Sequence, residues 1–187
     1  TVGHAPPIGI CGSGVLDAVA ELSRVGLLNH RGRLLVGPGV REVDDQREFV
    51  LVPAAASGSG HDITITQGDI AEILLAKGAM RTGIDALLRA MGLSPHELDE
   101  VIVAGAFGTH ISISSAVRIG MLPDLPLHKF RQVGNAAGIG AKLALVSLTQ
   151  RARACEVATR TGYLELTTLP DFASRFVTAT RLPVPTA

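Results

Sequence analysis

The sequence predicts an α/β fold, and three observations carry that reading. Short apolar strands alternate with helical segments along the chain, a pattern that packs helices on a sheet. Three glycine-rich turns, Gly12-Ser13-Gly14, Gly105-Ala106-Phe107-Gly108 and Gly134-Asn135-Ala136-Ala137-Gly138, each follow a short apolar strand and precede a helix. Thr66 with Asp69, and Ser94 with Glu97, stand at capping-box spacing and mark two helix starts.

In chain order, Ile8-Gly9-Ile10 reads as a strand running into the first glycine turn. Val15, Leu16, Val19, Leu22 and Val25 then recur at helical spacing up to Gly26. Residues 27–60 are irregular, with Gly32, Gly37, Pro38 and Gly39 ahead of a charged run over 41–48. Residues 49–52 form a strand, and the small residues and glycines of 54–60 form a loop that is the weakest internal boundary. Residues 63–66 alternate like a strand, and a long helix follows over 67–91, its faces marked by Ile70, Ile73, Leu74, Ile84, Leu87 and Leu88, with Gly92 as the stop. After Ser94-Pro95 only one helical turn fits before Val101-Ile102-Val103-Ala104, a continuous β-branched run suited to a strand covered on both faces. A helix over 114–119, a loop bounded by Pro123 and Pro126 and a strand over 130–133 lead into the third glycine turn. A small-residue helix reaching Leu148, a polar helix over 151–160, a strand over 163–166 and a short helix over 171–177 complete the chain.

Composition excludes several functions. The chain has 187 residues, 47% of them apolar, and at this length folding hides roughly 70% of the unfolded surface without disulfides or metals. Lys plus Arg equals Asp plus Glu at 17 each, so the basic footprint of a nucleic-acid binder is missing. Cys11 and Cys155 match neither a disulfide framework nor a metal spacing, and a reducing cytoplasm is the simplest compartment. The six histidines are scattered, and no protein-bound metal is expected. The longest uncharged stretch, 101–117, is broken by glycines and serines and makes no membrane span. Thr1 opens the chain without methionine or a signal core, and the expectation is a piece of something longer.

Backbone N–H groups at a helix start bind anions, and missing side chains let a ligand approach the chain closely. Any one of the three turns could be turn geometry without a ligand; their recurrence at strand ends points to a nucleotide. No Gly-x-x-x-x-Gly-Lys-Ser/Thr occurs, and Asp17 stands where a dinucleotide fold needs its third glycine. Cys11 and Val15 occupy the flanking positions where a nucleophile elbow around Ser13 would need glycines. Cys11 itself is either a thiolate favoured by the helix start or a small buried residue. Lys77, on an otherwise apolar helix, either faces the nucleotide or lays its stem across apolar surface.

Read together, the segment from Gly9 to Asp17, the helix containing Leu75-Ala76-Lys77, Val101 to Gly108, and Val133 to Gly138 resemble the C-terminal part of the reductive activators of corrinoid proteins. Those are ferredoxin-containing ATPases of the acetate-kinase, sugar-kinase, heat-shock-chaperone and actin superfold, and the resemblance covers nearly the whole chain. It implies one actin-like, ribonuclease-H-like ATPase lobe over residues 1–187, with a mixed sheet flanked by helices. By the same resemblance 101–108 is similar to the superfold's adenosine motif and 134–138 to its second connecting segment, with the first turn at the cleft edge. The implied nucleotide-binding residues are then Gly12, Ser13, Gly14, Lys77, Gly105, Ala106, Phe107, Gly108, Gly134 and Asn135. The Asp-x-Gly phosphate loops and the cysteine cluster of an iron-sulfur domain are not in this sequence and are expected upstream. The resemblance implies ATP with Mg and a two-iron ferredoxin cluster in the parent. It also implies delivery of an electron to Co(II) corrinoid on a partner corrinoid protein or methyltransferase, with a homodimer as a further expectation. The alternatives are a docking or scaffold module of the same fold and a small-molecule kinase lobe, because one superfold hosts many functions.

Overall fold

The structure, a computed structural model, describes residues 2–184. The first helix, α1 (Gly12–Arg24), buries Leu16, Val19, Ala20 and Leu22 on one face. A three-stranded antiparallel sheet follows, made of β1 (Val40–Val43), β2 (Gln46–Val52) and β3 (Ile63–Thr66) in that order. The charged run read as irregular is its first hairpin. Asp44 and Asp45 both take positive φ, 49° and 60°, the geometry of a two-residue turn whose twist matches the flanking strands. The charges then face one another across the ladder: Arg41 pairs with Glu48 at 2.7 Å and Arg47 with Glu42 at 3.7 Å. Residues 54–60 connect β2 to β3 within this sheet, and the Gly58 N–H donates to the Pro7 carbonyl at 2.8 Å.

The expected long helix is α2 (Gln67–Ala90). Its start is held by the capping box, with Thr66 Oγ1 accepting from the Asp69 N–H while the Asp69 carboxylate accepts from the Thr66 N–H. The second sheet consists of β4 (Val101–Ala104) and β5 (Phe130–Gly134), which run parallel. The crossover between them carries α3 (Ala106–His110) and α4 (Ile113–Arg118), as parallel pairing requires. Next come α5 (Ala136–Val146) and α6 (Leu148–Arg160), joined by Ser147 alone, whose hydroxyl accepts from the Gln150 N–H and starts α6 three residues before the expected point. The last helix, α7 (Phe172–Ala179), packs on α2.

Two expected strands do not form. Residues 5–11 lie outside any ladder. Pro6 and Pro7 have no N–H to donate, and the tie to Gly58 comes from a single carbonyl. At 163–166 the Glu165 carboxylate accepts from the N–H and hydroxyl of Thr167, and the chain turns into a short 3-10 helix, Leu166–Thr168. Such local side-chain bonds compete with ladder formation, and Tyr163 remains 87% exposed. One core gathers Leu16, Val19 and Ala20 of α1, Leu34, Ile65, Ile70 and Leu74, and Ala116 and Ile119 around α4. Val103 of β4 and Phe130 of β5 pack against it, which anchors the parallel pair.

Candidate functional site

Two of the three glycine turns meet at the carboxyl ends of adjacent parallel strands. Ala104 pairs with Gly134 after a register shift at Val103, and the Gly105 N–H donates to the Gly134 carbonyl at 2.7 Å. Both glycines take positive φ, 98° at Gly105 and 65° at Gly134, a region that L side chains avoid. A Cβ on Gly105 would have no heavy atom within 4 Å. Backbone strain therefore explains a glycine there, and crowding by the protein itself does not.

Side chains that the sequence reading passed over hold this edge. Thr109 donates its hydroxyl to the Gly105 carbonyl at 3.1 Å, closing the first turn of α3. Gln132 on β5 donates to the carbonyls of Gly108 at 2.5 Å and Ile111 at 3.0 Å, tying α3 and the residue after it to β5. The sequence signals were a threonine four residues after Gly105 and a glutamine in a short strand, and neither is specific. Asn135 caps α5 by accepting the Gly138 N–H at 2.9 Å. A Cβ on Gly138 would fall 2.6 Å from the Asn135 amide, and one on Gly108 would fall 2.9 Å from Val103 Cγ1. Gly108 thus lets α3 close onto β4, a packing role. The side chains of Ala106 and Phe107 lie outside the described part of the structure.

The remaining predicted residues have other surroundings. Gly12, Ser13 and Gly14 open α1, where Cys11 Sγ lies 3.3 Å from Ser13 Oγ. The Ser13 hydrogen bond, followed by the Gly14 N–H, holds the exposed Cys11 thiol below its usual pKa. A Cβ on Gly14 would sit 2.9 Å from Ile10 Cγ1, and among the described residues no hydrogen bond joins this turn to the strand ends. Asp17, one turn along, keeps a buried Oδ1 without a hydrogen-bond partner among the described residues. Lys77 is 1% exposed, and its ammonium donates to the Arg181 carbonyl. Its neighbours are Arg181, Gly120 and Arg81, none of them in a glycine turn. Burial, and then the Arg81 charge, pulls its pKa down to about 8.

Among the described residues no cluster of His, Cys, Asp or Glu has the makings of a metal site, and no helix is long and apolar enough to cross a membrane. What the strand ends offer is an open face at Gly105, with no heavy atom within 4 Å of a Cβ placed there, beside the start of α5. That suits a flat, hydrogen-bonding ligand passing across them.

Comparison with known proteins agrees with this architecture. The family model for the C-terminal domain of RACo, the ASKHA domain, matches residues 1–187. The chain is 38% identical over 188 residues to the corrinoid activation enzyme RamQ of Eubacterium limosum, covering 94% of this chain and 31% of that protein. It is 27% identical over 135 residues to the [Co(II) methylated amine-specific corrinoid protein] reductase of Methanosarcina barkeri, covering 70% of this chain and 21% of that protein. Among solved structures, a reductive activator for corrinoid, iron-sulfur protein superposes with a TM-score of 0.89 at 40% identity, covering 98% of this chain and 30% of that one. The chain thus spans about a third or less of the proteins it matches. It belongs to the RACo C-terminal ASKHA domain family, and its fold is the actin-like α/β fold of that superfamily.

Proposed function

We propose that this member of the family forms the nucleoside side of an ATP cleft in a protein that reductively activates a corrinoid partner. The observation that carries the reading is the joined pair of strand ends, where Gly105 and Gly134 share a 2.7 Å hydrogen bond and Gly105 faces open space. Adenosine lies along Gly105 and Gly134, with the N-terminus of α5 beside it. Gly108, Ala106 and Phe107 shape the turn, and Asn135 fixes the start of α5. Gly12 to Gly14 form the cleft edge.

The rest of the machine is upstream. The relatives extend well beyond the matched region, which leaves room for the Asp-x-Gly phosphate loops, the Mg site and a two-iron ferredoxin domain. The α5–α6 hairpin supports this division. Leu145, Val146 and Leu148 are 74%, 79% and 80% exposed, an apolar surface suited to cover by the missing lobe. ATP binding then drives closure of the lobes. A ferredoxin cluster held by residues upstream of this chain would supply, in its reduced form, the one electron that takes Co(II) to Co(I) in a corrinoid on a partner corrinoid protein or methyltransferase. The activity is cytoplasmic, in an assembly that includes a second copy of the protein.

Substitution at the strand ends tests the reading. In the intact protein, Gly105→Ala adds a methyl where the ligand passes, and it carries a backbone penalty of about 1 to 3 kcal/mol at positive φ. Mg-ATP affinity measured by calorimetry should fall more than tenfold, while Gly92→Ala, at a similarly open position with φ 68°, should share the stability loss and keep the affinity. Equal ATP affinity in folded Gly105→Ala and wild type would return the glycines to turn geometry and favour a docking module.

A further inference from the structure

A cavity of 540 Å³ lies between α2, α7 and the segment after α7, apart from both strand-end turns. Lys77, Arg81 and Asp85 of α2, Arg175 of α7, and Arg181 line it together with Gly120. These charges are unequally matched. Arg81 is held by Asp85 at 2.9 Å, and Arg175 by Asp171. Lys77 and Arg181 have no carboxylate at ion-pair distance among the described residues, and the adjoining cavity that shares Arg81 and Gly120 is lined by Arg24, Arg118 and Asp124.

Lys77 makes the case specific. Its side chain is buried, its hydrogen-bond acceptor is the neutral carbonyl of Arg181, and the charge acting on it is the like-signed Arg81 guanidinium. An ammonium taken out of water costs several kcal/mol unless an anion faces it. The hydroxyls of Thr82, Ser174 and Thr178 along the wall donate to backbone carbonyls and bring no negative charge. The fold therefore keeps an unmatched cation at the wall of an open cavity, with a second unmatched cation, Arg181, on the same cavity.

We infer that this cavity binds a phosphate dianion, free or as the phosphate group of a small ester. Two unmatched cations, one of them a planar guanidinium fork, suit a doubly charged tetrahedral oxyanion better than a halide. The volume falls within the roughly 300 to 1,000 Å³ of small-molecule sites, so an organic body has room beside the phosphate. Bound phosphate would hold Lys77 in its charged form. Above pH 8, where the free lysine loses its proton, binding takes a proton up and weakens.

The test is calorimetry on the intact protein kept saturated with Mg-ATP, so that the nucleotide cleft is filled. Potassium phosphate is titrated against potassium chloride at matched ionic strength, and glycerol 3-phosphate is titrated in parallel. A single phosphate site is expected, weaker at pH 9.5 than at pH 7.5 and about tenfold weaker or more in Arg181→Ala and in Lys77→Met. Arg181 is exposed, so its variant keeps the fold and stands as the cleaner comparison. Tighter binding of glycerol 3-phosphate assigns the site to an ester, and equal or weaker binding assigns it to inorganic phosphate. No heat above chloride, unchanged binding in both variants, or phosphate binding that vanishes when ATP saturates would overturn the inference. Failure of ATP itself to bind is read separately, in the first titration, and bears on the nucleotide cleft alone.

Discussion

At the scale of single residues, Lys77 gives stability a pH dependence that can be measured. Its pKa falls from an ordinary 10.5 to about 8 because burial disfavours the charged form and Arg81 repels it. The folded state therefore binds this proton less tightly than the unfolded state. Between pH 8 and 10.5 the unfolded chain is protonated at Lys77 while the folded one is not, so stability rises with pH across that window and is flat below it. The size is on the order of a few kcal/mol, at about 1.4 kcal/mol per unit of displacement. Urea denaturation at pH 7, 8.5 and 10 should show this rise in wild type and lose it in Lys77→Met. Identical profiles would mean that the ammonium is solvated or paired. The sequence left Lys77 between a ligand contact and a snorkelling stem, because a lysine on an apolar helix face has the same local pattern in either case. Its burial depends on Arg181, a residue 104 positions away, which no local window contains.

At the scale of elements, α2 offers a paired experiment, because two of its glycines meet very different surroundings. A Cβ on Gly78 would lie 2.9 Å from Thr180 Cγ2, 3.2 Å from its N and 3.3 Å from its Cα, whereas one on Gly83 would meet only Leu166 Cδ1 at 3.7 Å. Alanine is favoured over glycine inside a helix by about 0.8 to 1 kcal/mol, so Gly83→Ala should raise the melting temperature. Gly78→Ala gains the same propensity, but it pushes on the backbone after α7, and overpacking typically costs about 1 to 3 kcal/mol. It should lower the melting temperature and loosen α7; if both variants melt higher, the α2–α7 contact is slack. The same contrast explains which elements were legible. The start of α2 is written locally, in Thr66 and Asp69, and β4 in four consecutive apolar residues. The β1–β2 hairpin was hidden because its turn uses Asp44-Asp45 rather than a glycine pair and its faces carry charge rather than alternation. Its signal is the order Arg41, Glu42, Arg47, Glu48, which places opposite charges across an antiparallel ladder. The strand expected over 163–166 had the right composition, and local bonds to Glu165 replaced the ladder.

At the scale of the whole molecule, the candidate nucleotide site was legible as three turns, and the fold sorts them. Gly105 and Gly134 adjoin because β4 and β5 are parallel neighbours, a pairing that follows from the α/β alternation in the sequence. The roles of Gly108 and Gly138 are steric and appear only once Val103 and Asn135 are in place. Gly12 to Gly14 open a helix of their own, and nothing local in the sequence distinguishes such a start from a ligand site. This distribution has a consequence for affinity. In the proposed cleft, the open face at Gly105 serves the base and sugar of a nucleotide. The charge of ATP lies on its phosphates, and the metal-binding carboxylates that would accompany them are not among the described residues. A site that desolvates a nucleoside on one side only, without closure over it, forgoes most of the interactions that make such binding tight. Calorimetric titration with Mg-ATP should therefore give clear binding to the intact protein. Residues 1–187 alone should bind at least about a hundredfold more weakly, a difference of roughly 2.7 kcal/mol. Comparable affinity in the two would place the whole site within this chain and remove the need for a cleft completed from upstream.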